Sequence, residues 1–266
     1  MWDFEHEPLA GALAERYRIE WMLPSECADR LAARTADVGL VPIAALPYNP
    51  DLHILPGCTI ASKDFVRSLL LVRRAGRALA DIRTVAADTA SRTTIAYSRI
   101  MFEKWGNSAV DFLPMAADLD FMLERADAAI LIGDPALLAL EERANRDERQ
   151  EEELVYHDIA HEWRMLTGLP FVSAVWAIRA DAELRGGLSS EVIATDFTRS
   201  RDHGMASIEA LAAEWCDRLP LAEHTIRSYL SENIHYVLDE ECKEGMRGFF
   251  TMAAETGVLP DYKIEL

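Results

Sequence analysis

Thr89, Ser91, Thr93 and Thr94 crowd four hydroxyls into the stretch DTASRTT, residues 88–94, with Arg92 among them. A short apolar run precedes them. Tyr97, Met101 and Trp105 then recur at i, i+4 and i+8, with Phe102 beside them, which predicts a helix over 94–105. A helix start leaves backbone N–H groups without intrahelical partners and carries positive partial charge. One hydroxyl is enough to cap it. The surplus donors suit a bound carboxylate, so this turn reads as an anion seat.

Three other places have the residue types for a ligand site. In FVRSLLLV, Ser68 interrupts an apolar strand just after a loop, either as a satisfied core hydroxyl or as a group facing a cleft. In LIGDPALL, Gly133 lets a backbone come close to a ligand and Pro135 suits the first helical position. Asp134 there is either an N-cap or part of the site. LTGLPFVSAVW, residues 166–176, is a third strand-flanking turn, either simple punctuation or a pocket wall. His157 and His161 have i, i+4 spacing beside Glu162, but HDIAH lacks the Glu that a zinc peptidase helix needs after its first His. His157 reads as the end of a strand and His161 as the start of a helix, so no metal site is expected. There is no Gly-x-Ser-x-Gly, P-loop or Gly-x-Gly-x-x-Gly motif.

These turns need a scaffold, and the pattern around them supplies one. Leu9, Leu13 and Tyr17 have helical spacing; YRIEWML, residues 17–23, reads as a strand; SECADRLAARTAD reads as a helix capped by Ser25. VGLVPIAAL is a buried strand that stops at Pro42, and HILPGCTIAS and VRSLLLVRR are two more. IRTVAAD, AVDFLP, DAAILI and LVYHDI alternate with helices, and LPFVSAVWAIR closes the unit. EERANRDERQEEE reads as a solvated, densely charged stretch, and from residue 189 the chain reads as helix only. Alternation at this spacing implies βα units in a largely parallel sheet. Two such units in tandem predict two lobes, residues 1–76 with 172–266 and residues 77–171. The cleft between such lobes is the default ligand site.

Length and charge narrow the partners. The chain has 266 residues, half of them apolar, enough for real cores. It carries 45 acidic against 27 basic residues, a net charge of −18, which disfavours nucleic acid and anionic membranes as partners. A small anion must then meet a local cluster of donors, because the global field repels it. The four cysteines are scattered and read as free thiols of a reducing compartment. No apolar run approaches the ~18–20 residues of a membrane span. Nothing in the pattern fixes an oligomeric state.

DVGLVPIAAL, LPGCTIASKDFVRSLLLV, DTASRTT, ADAAILIGDPAL and EWRMLTGLPFVSAVWA, in this order, resemble the chorismate dehydratases of the futalosine route to menaquinone. The resemblance runs through the whole chain. It implies an α/β, two-lobed fold similar to type II periplasmic binding proteins with C-terminal helices, used as a cytoplasmic enzyme. The implied reaction removes water from chorismate to give 3-[(1-carboxyvinyl)oxy]benzoate, a hydro-lyase step without metal or organic cofactor. A ring proton and the hydroxyl leave, the ring becomes aromatic, and the substrate's own enolpyruvyl carboxylate is the suggested base. By position Ser68 matches the family's active-site serine. Ser91, Arg92, Thr93 and Thr94 match the turn that holds a substrate carboxylate, with Thr93 and Thr94 expected nearest to it. Gly133, Asp134, Pro42 and Phe171 complete the expected substrate-binding set. Family members begin with a strand bearing a functional Asn, upstream of the stretch equivalent to WDFEHEP; this sequence starts after that point, so its first strand is expected to be missing. Two other readings stay open: a carrier of small carboxylates on the same fold, and the related enzyme that cleaves cyclic dehypoxanthine futalosine.

Overall fold

The computed structural model describes residues 1–88, 92–107, 109–148, 153–182, 184 and 188–266. Two β-sheets organise them. The first has the order β1 (Val38–Pro42), β8 (Phe171–Arg179), β2 (Leu52–Ser62), β9 (His235–Val237), and every pairing in it is antiparallel. The second has the order β5 (Asp111–Met115), β4 (Thr84–Asp88), β6 (Ala128–Ile132), β3 (Leu69–Arg74), β7 (Leu154–Asp158). β5, β4, β6 and β7 all run in one direction; β3 alone opposes them, antiparallel to both β6 and β7.

The expected largely parallel arrangement is therefore found in the second sheet alone, where the single reversed strand β3 interrupts it. The reason lies in how the chain changes sheets. It enters the second sheet after Ser62 at the N-terminal end of β3, and it leaves after the C-terminal end of β7. Leu69 lies opposite Ile132 and Leu70 opposite Asp158, so entry, exit and the C-terminal end of β6 share one end of the sheet. A strand that enters at that end must oppose its neighbours. β3 also belongs to the second sheet, although a division at residue 76 would place it in the first lobe.

The helices follow in chain order: α1 (Trp2–Glu5), α2 (Ala10–Ala14), α3 (Pro24–Ala32), α4 (Arg92–Lys104), α5 (Leu119–Arg125), α6 (Asp134–Glu148) and α7 (Ile159–Thr167). After β8 come α8 (Ser190–Ala206), α9 (Ile208–Cys216), α10 (Glu223–Ser228) and α11 (Glu240–Glu255). The C-terminal stretch is thus not helix only, since β9 adds an edge strand to the first sheet. α3 starts one residue before the expected Ser25 cap. Pro24 takes the first helical position, and the Glu26 carboxylate accepts from the Leu23 N–H at 3.0 Å.

Residues 17–23 form no strand. Ile19, Trp21 and Leu23 alternate as strand residues should, yet all three are exposed, Trp21 by 70%. β1 is the edge strand of its sheet and pairs with β8 alone, and residues 17–23 do not add to it.

The principal core runs through both sheets. Tyr97 of α4 stacks on Phe171 at 4.0 Å and on Phe249 of α11 at 4.2 Å, and meets Trp163 of α7 edge-on at 4.6 Å. Its buried hydroxyl accepts from the Val172 N–H at 3.2 Å, so the ring's polar tip is satisfied as well. The Tyr97, Met101 and Phe102 periodicity thus positions α4 by packing. The four cysteines are free thiols.

Candidate active site

Ser68 closes the crossover from β2 to β3 and is 5% exposed. The residue before it, Arg67, has φ +63°, a left-handed conformation that costs a non-glycine residue energy. Asp158 holds that conformation in place. Its Oδ2 accepts from the N–H groups of Val66 (3.0 Å) and Arg67 (2.6 Å). Its Oδ1 accepts from Ala160 and His161, both at 3.1 Å, and caps α7. Burial pushes the Asp158 carboxyl up from its ordinary range, and the four backbone donors pull against that shift.

Two further bonds fix the serine. Its carbonyl accepts from the Gly133 N–H at 2.7 Å, across the β3–β6 pairing. Its Oγ lies 3.0 Å from the Tyr229 hydroxyl, which donates to it. Tyr229 opens a π turn, Tyr229–Asn233, between α10 and β9. At the far end of that turn the Asn233 amide donates to the Phe65 carbonyl at 3.1 Å. Phe65 in turn stacks on His161 at 3.9 Å. The crossover is therefore clamped by α7 on one side and by the π turn on the other. Gly133, at φ +71°, leads into α6, and Asp134 is exposed at its first position. Asp134 lies near enough to Tyr229 to add to the burial that raises the phenol's pKa.

Of the hydroxyl-rich turn, Thr89 and Ser91 fall outside the described residues. Arg92 opens α4 and donates to both oxygens of Asp29 on α3, at 3.0 and 3.1 Å. Thr93 and Thr94 are fully buried. Thr93 Oγ1 accepts from the Ala44 N–H at 3.2 Å, two residues beyond Pro42 at the end of β1. The Thr94 carbonyl accepts from Ser98 Oγ at 2.8 Å. Arg92 and Thr93 thus tie α4 to elements of the first sheet. Pro42 is buried where β1 passes into a 3₁₀ turn, Ile43–Tyr48. Phe171 is 1% exposed within the aromatic stack, so its ring belongs to the core rather than to an open wall.

The structure brings Ser68, Gly133 and Asp134 together and keeps the α4 start on the same end of the second sheet. The sequence reading missed Tyr229 and Asp158, whose partners lie 161 and about 90 residues away. The one available signal was the Asp158-Ile-Ala-His pattern of an N-cap.

The histidines of HDIAH do not share a face. His157 Nδ1 pairs with Glu162 at 2.7 Å while its Nε2 accepts from Arg73, and His161 pairs with Asp64 at 2.6 Å. The His157 bond holds Glu162 below the usual carboxylate range. Elsewhere His235, Asp239 and Cys242 bring three ligand atoms within 4.8 Å. A cation already sits there: the Lys63 ammonium lies 2.7 Å from Asp239 and 2.9 Å from Glu241. Burial pushes the Cys242 thiol up to about 12, away from the thiolate a metal needs. These groups read as a structural network around the start of α11. Among the described residues, no helix is long and apolar enough to cross a membrane.

Residues 3–255 match the family model described as menaquinone biosynthesis. Over 245 residues the chain is 26% identical to the chorismate dehydratase of Thermus thermophilus, covering 88% of this chain and 86% of that protein. Among solved structures, a protein of Archaeoglobus fulgidus superposes with a TM-score of 0.67 at 15% identity, over 97% of this chain and 94% of that one. The periplasmic aliphatic sulphonate binding protein of Escherichia coli superposes with a TM-score of 0.62 at 16% identity, over 98% and 89%. The fold is that of the periplasmic binding proteins.

Proposed function

The chain belongs to the menaquinone biosynthesis family, and on that premise we propose that it is a hydro-lyase that dehydrates chorismate to 3-[(1-carboxyvinyl)oxy]benzoate. The observation that carries this reading is the clamped Ser68, at the position where the resemblance expects the catalytic serine. The relative named chorismate dehydratase supports the substrate.

The chemistry asks little of an acid or base on the protein. A ring C–H bond breaks, its electrons complete the aromatic ring, and the neighbouring C–O bond breaks to release water. The buried carboxylate of Asp158 is committed to four backbone donors. The resemblance implies the substrate's own enolpyruvyl carboxylate as the base. The protein then contributes orientation and preorganised hydrogen bonds. Ser68 donates to the substrate near the reacting carbons, and the start of α4 at Arg92, Thr93 and Thr94 with Gly133 and Asp134 borders the anion. The anion site lies between lobe I and lobe II of a cytoplasmic enzyme, divided as residues 1–76 with 172–266 and residues 77–171 except that β3 belongs with the second.

The competing reading is a carrier for a small anion, which the likeness to the sulphonate binding protein favours. Incubation with excess chorismate separates the two. The dehydratase forms an aromatic benzoate absorbance well beyond one equivalent of protein. Absorbance that never exceeds the chorismate baseline would overturn the dehydratase reading.

A further inference from the structure

We infer that Tyr229 is a positioning residue for the reaction: its hydroxyl donates to Ser68 Oγ and thereby directs the serine's own proton toward the substrate. The inference rests on the dehydratase reading and adds to it a residue from the C-terminal third of the chain.

A serine hydroxyl has one proton to give and two lone pairs to receive with. With Tyr229 3.0 Å away and donating, one lone pair is taken and the serine proton must turn elsewhere. Ser68 is almost wholly buried, so the directions open to it are few. Its main chain cannot drift, because Asp158 pins the strained Arg67 and Gly133 holds the Ser68 carbonyl. The tyrosine therefore decides the rotamer of a hydroxyl whose backbone is already fixed.

Tyr229 is also delivered in an unusual way. It opens a π turn, a conformation rare in regular helices and frequent at functional sites. The turn's other end is tied to the same crossover through Asn233 and the Phe65 carbonyl. Both ends of one π turn thus grip the segment that carries Ser68. Burial, with Asp134 nearby, raises the phenol's pKa above its ordinary value. A purely structural tyrosine would need only a carbonyl to satisfy its hydroxyl.

The test is a double-mutant cycle on chorismate turnover by the full chain. Tyr229→Phe should lower kcat about tenfold while KM stays within about twofold. In a Ser68→Ala background the same change should cost nothing more, because the proton it directs is gone. Unfolding curves establish that each variant is folded. Should Tyr229→Phe fail to fold, Asn233→Ala loosens the turn and leaves both hydroxyls in place. It should also lower kcat, and it should add nothing to Ser68→Ala. An unchanged kcat in Tyr229→Phe, or a loss that multiplies with that of Ser68→Ala, would overturn the inference and leave the dehydratase reading intact. A wild-type protein without turnover would overturn the dehydratase reading and this inference with it.

Discussion

The crossover before β3 and the start of α4 lie at the same end of the second sheet, and they are built in opposite ways. The crossover before β3 is assembled from distant parts of the chain. Asp158 grips its backbone, Tyr229 grips its one hydroxyl, and Asn233 grips Phe65. The turn into α4 carries many more polar groups, yet its Arg92 and Thr93 reach across to Asp29 and Ala44. Abundant donors do not by themselves mark the reacting group. A single hydroxyl whose backbone and rotamer are both fixed is better suited to chemistry, because preorganised dipoles cost nothing to align during the reaction. The richer turn is suited to holding the lobes and an anion together.

Breaking the two turns should therefore give different losses. The largest belongs to Ser68→Ala, which removes one preorganised donor. Turnover should fall by about 100-fold or more with a folded protein, as measured by steady-state kinetics and thermal unfolding. Unchanged kinetics would take Ser68 out of the chemistry. Next is Asp158→Ala. It uncaps α7 and leaves the Val66 and Arg67 N–H groups without their acceptor, so denaturant unfolding should show a loss of at least about 2 kcal/mol. kcat should fall too as Arg67 relaxes from its left-handed conformation. A variant of wild-type stability would mean the clamp is not needed to hold the crossover. The smallest effect belongs to Asp29→Ala, which frees Arg92 from an exposed ion pair. Its cost in unfolding free energy should stay below about 1 kcal/mol, with kcat unchanged. A kcat loss rivalling that of Ser68→Ala would erase the distinction between the turns.

How far these turns could be read in the sequence follows from how they are built. DTASRTT is conspicuous because its groups are adjacent, but nothing in that stretch names Ala44 or Asp29. Ser68 stands out only as a polar residue in an apolar run. The Tyr229 that orients it lies 161 residues on and belongs to no local pattern. The periodicity of Tyr97 and Met101 correctly marks α4, since helix packing is a local signal. Strand direction is not local. The alternation of strands and helices suggested a parallel sheet, while the two passages between sheets reversed β3 and left the first sheet antiparallel. Residues 17–23 show the same limit, because their alternation carries no information on whether a sheet face is there to bury Ile19, Trp21 and Leu23. The whole-chain resemblance reached the family and the fold, because it used the order of many weak motifs at once.

The central claim is that the protein transforms its ligand rather than merely holding it. The most direct measurement is the mass of the small molecule recovered after the protein has been incubated with excess chorismate and removed by filtration. Our account expects the chorismate pool to be converted, over many turnovers, to a species lighter by one water. Recovery of intact chorismate, with about one equivalent retained by the protein, would contradict it and establish a carrier.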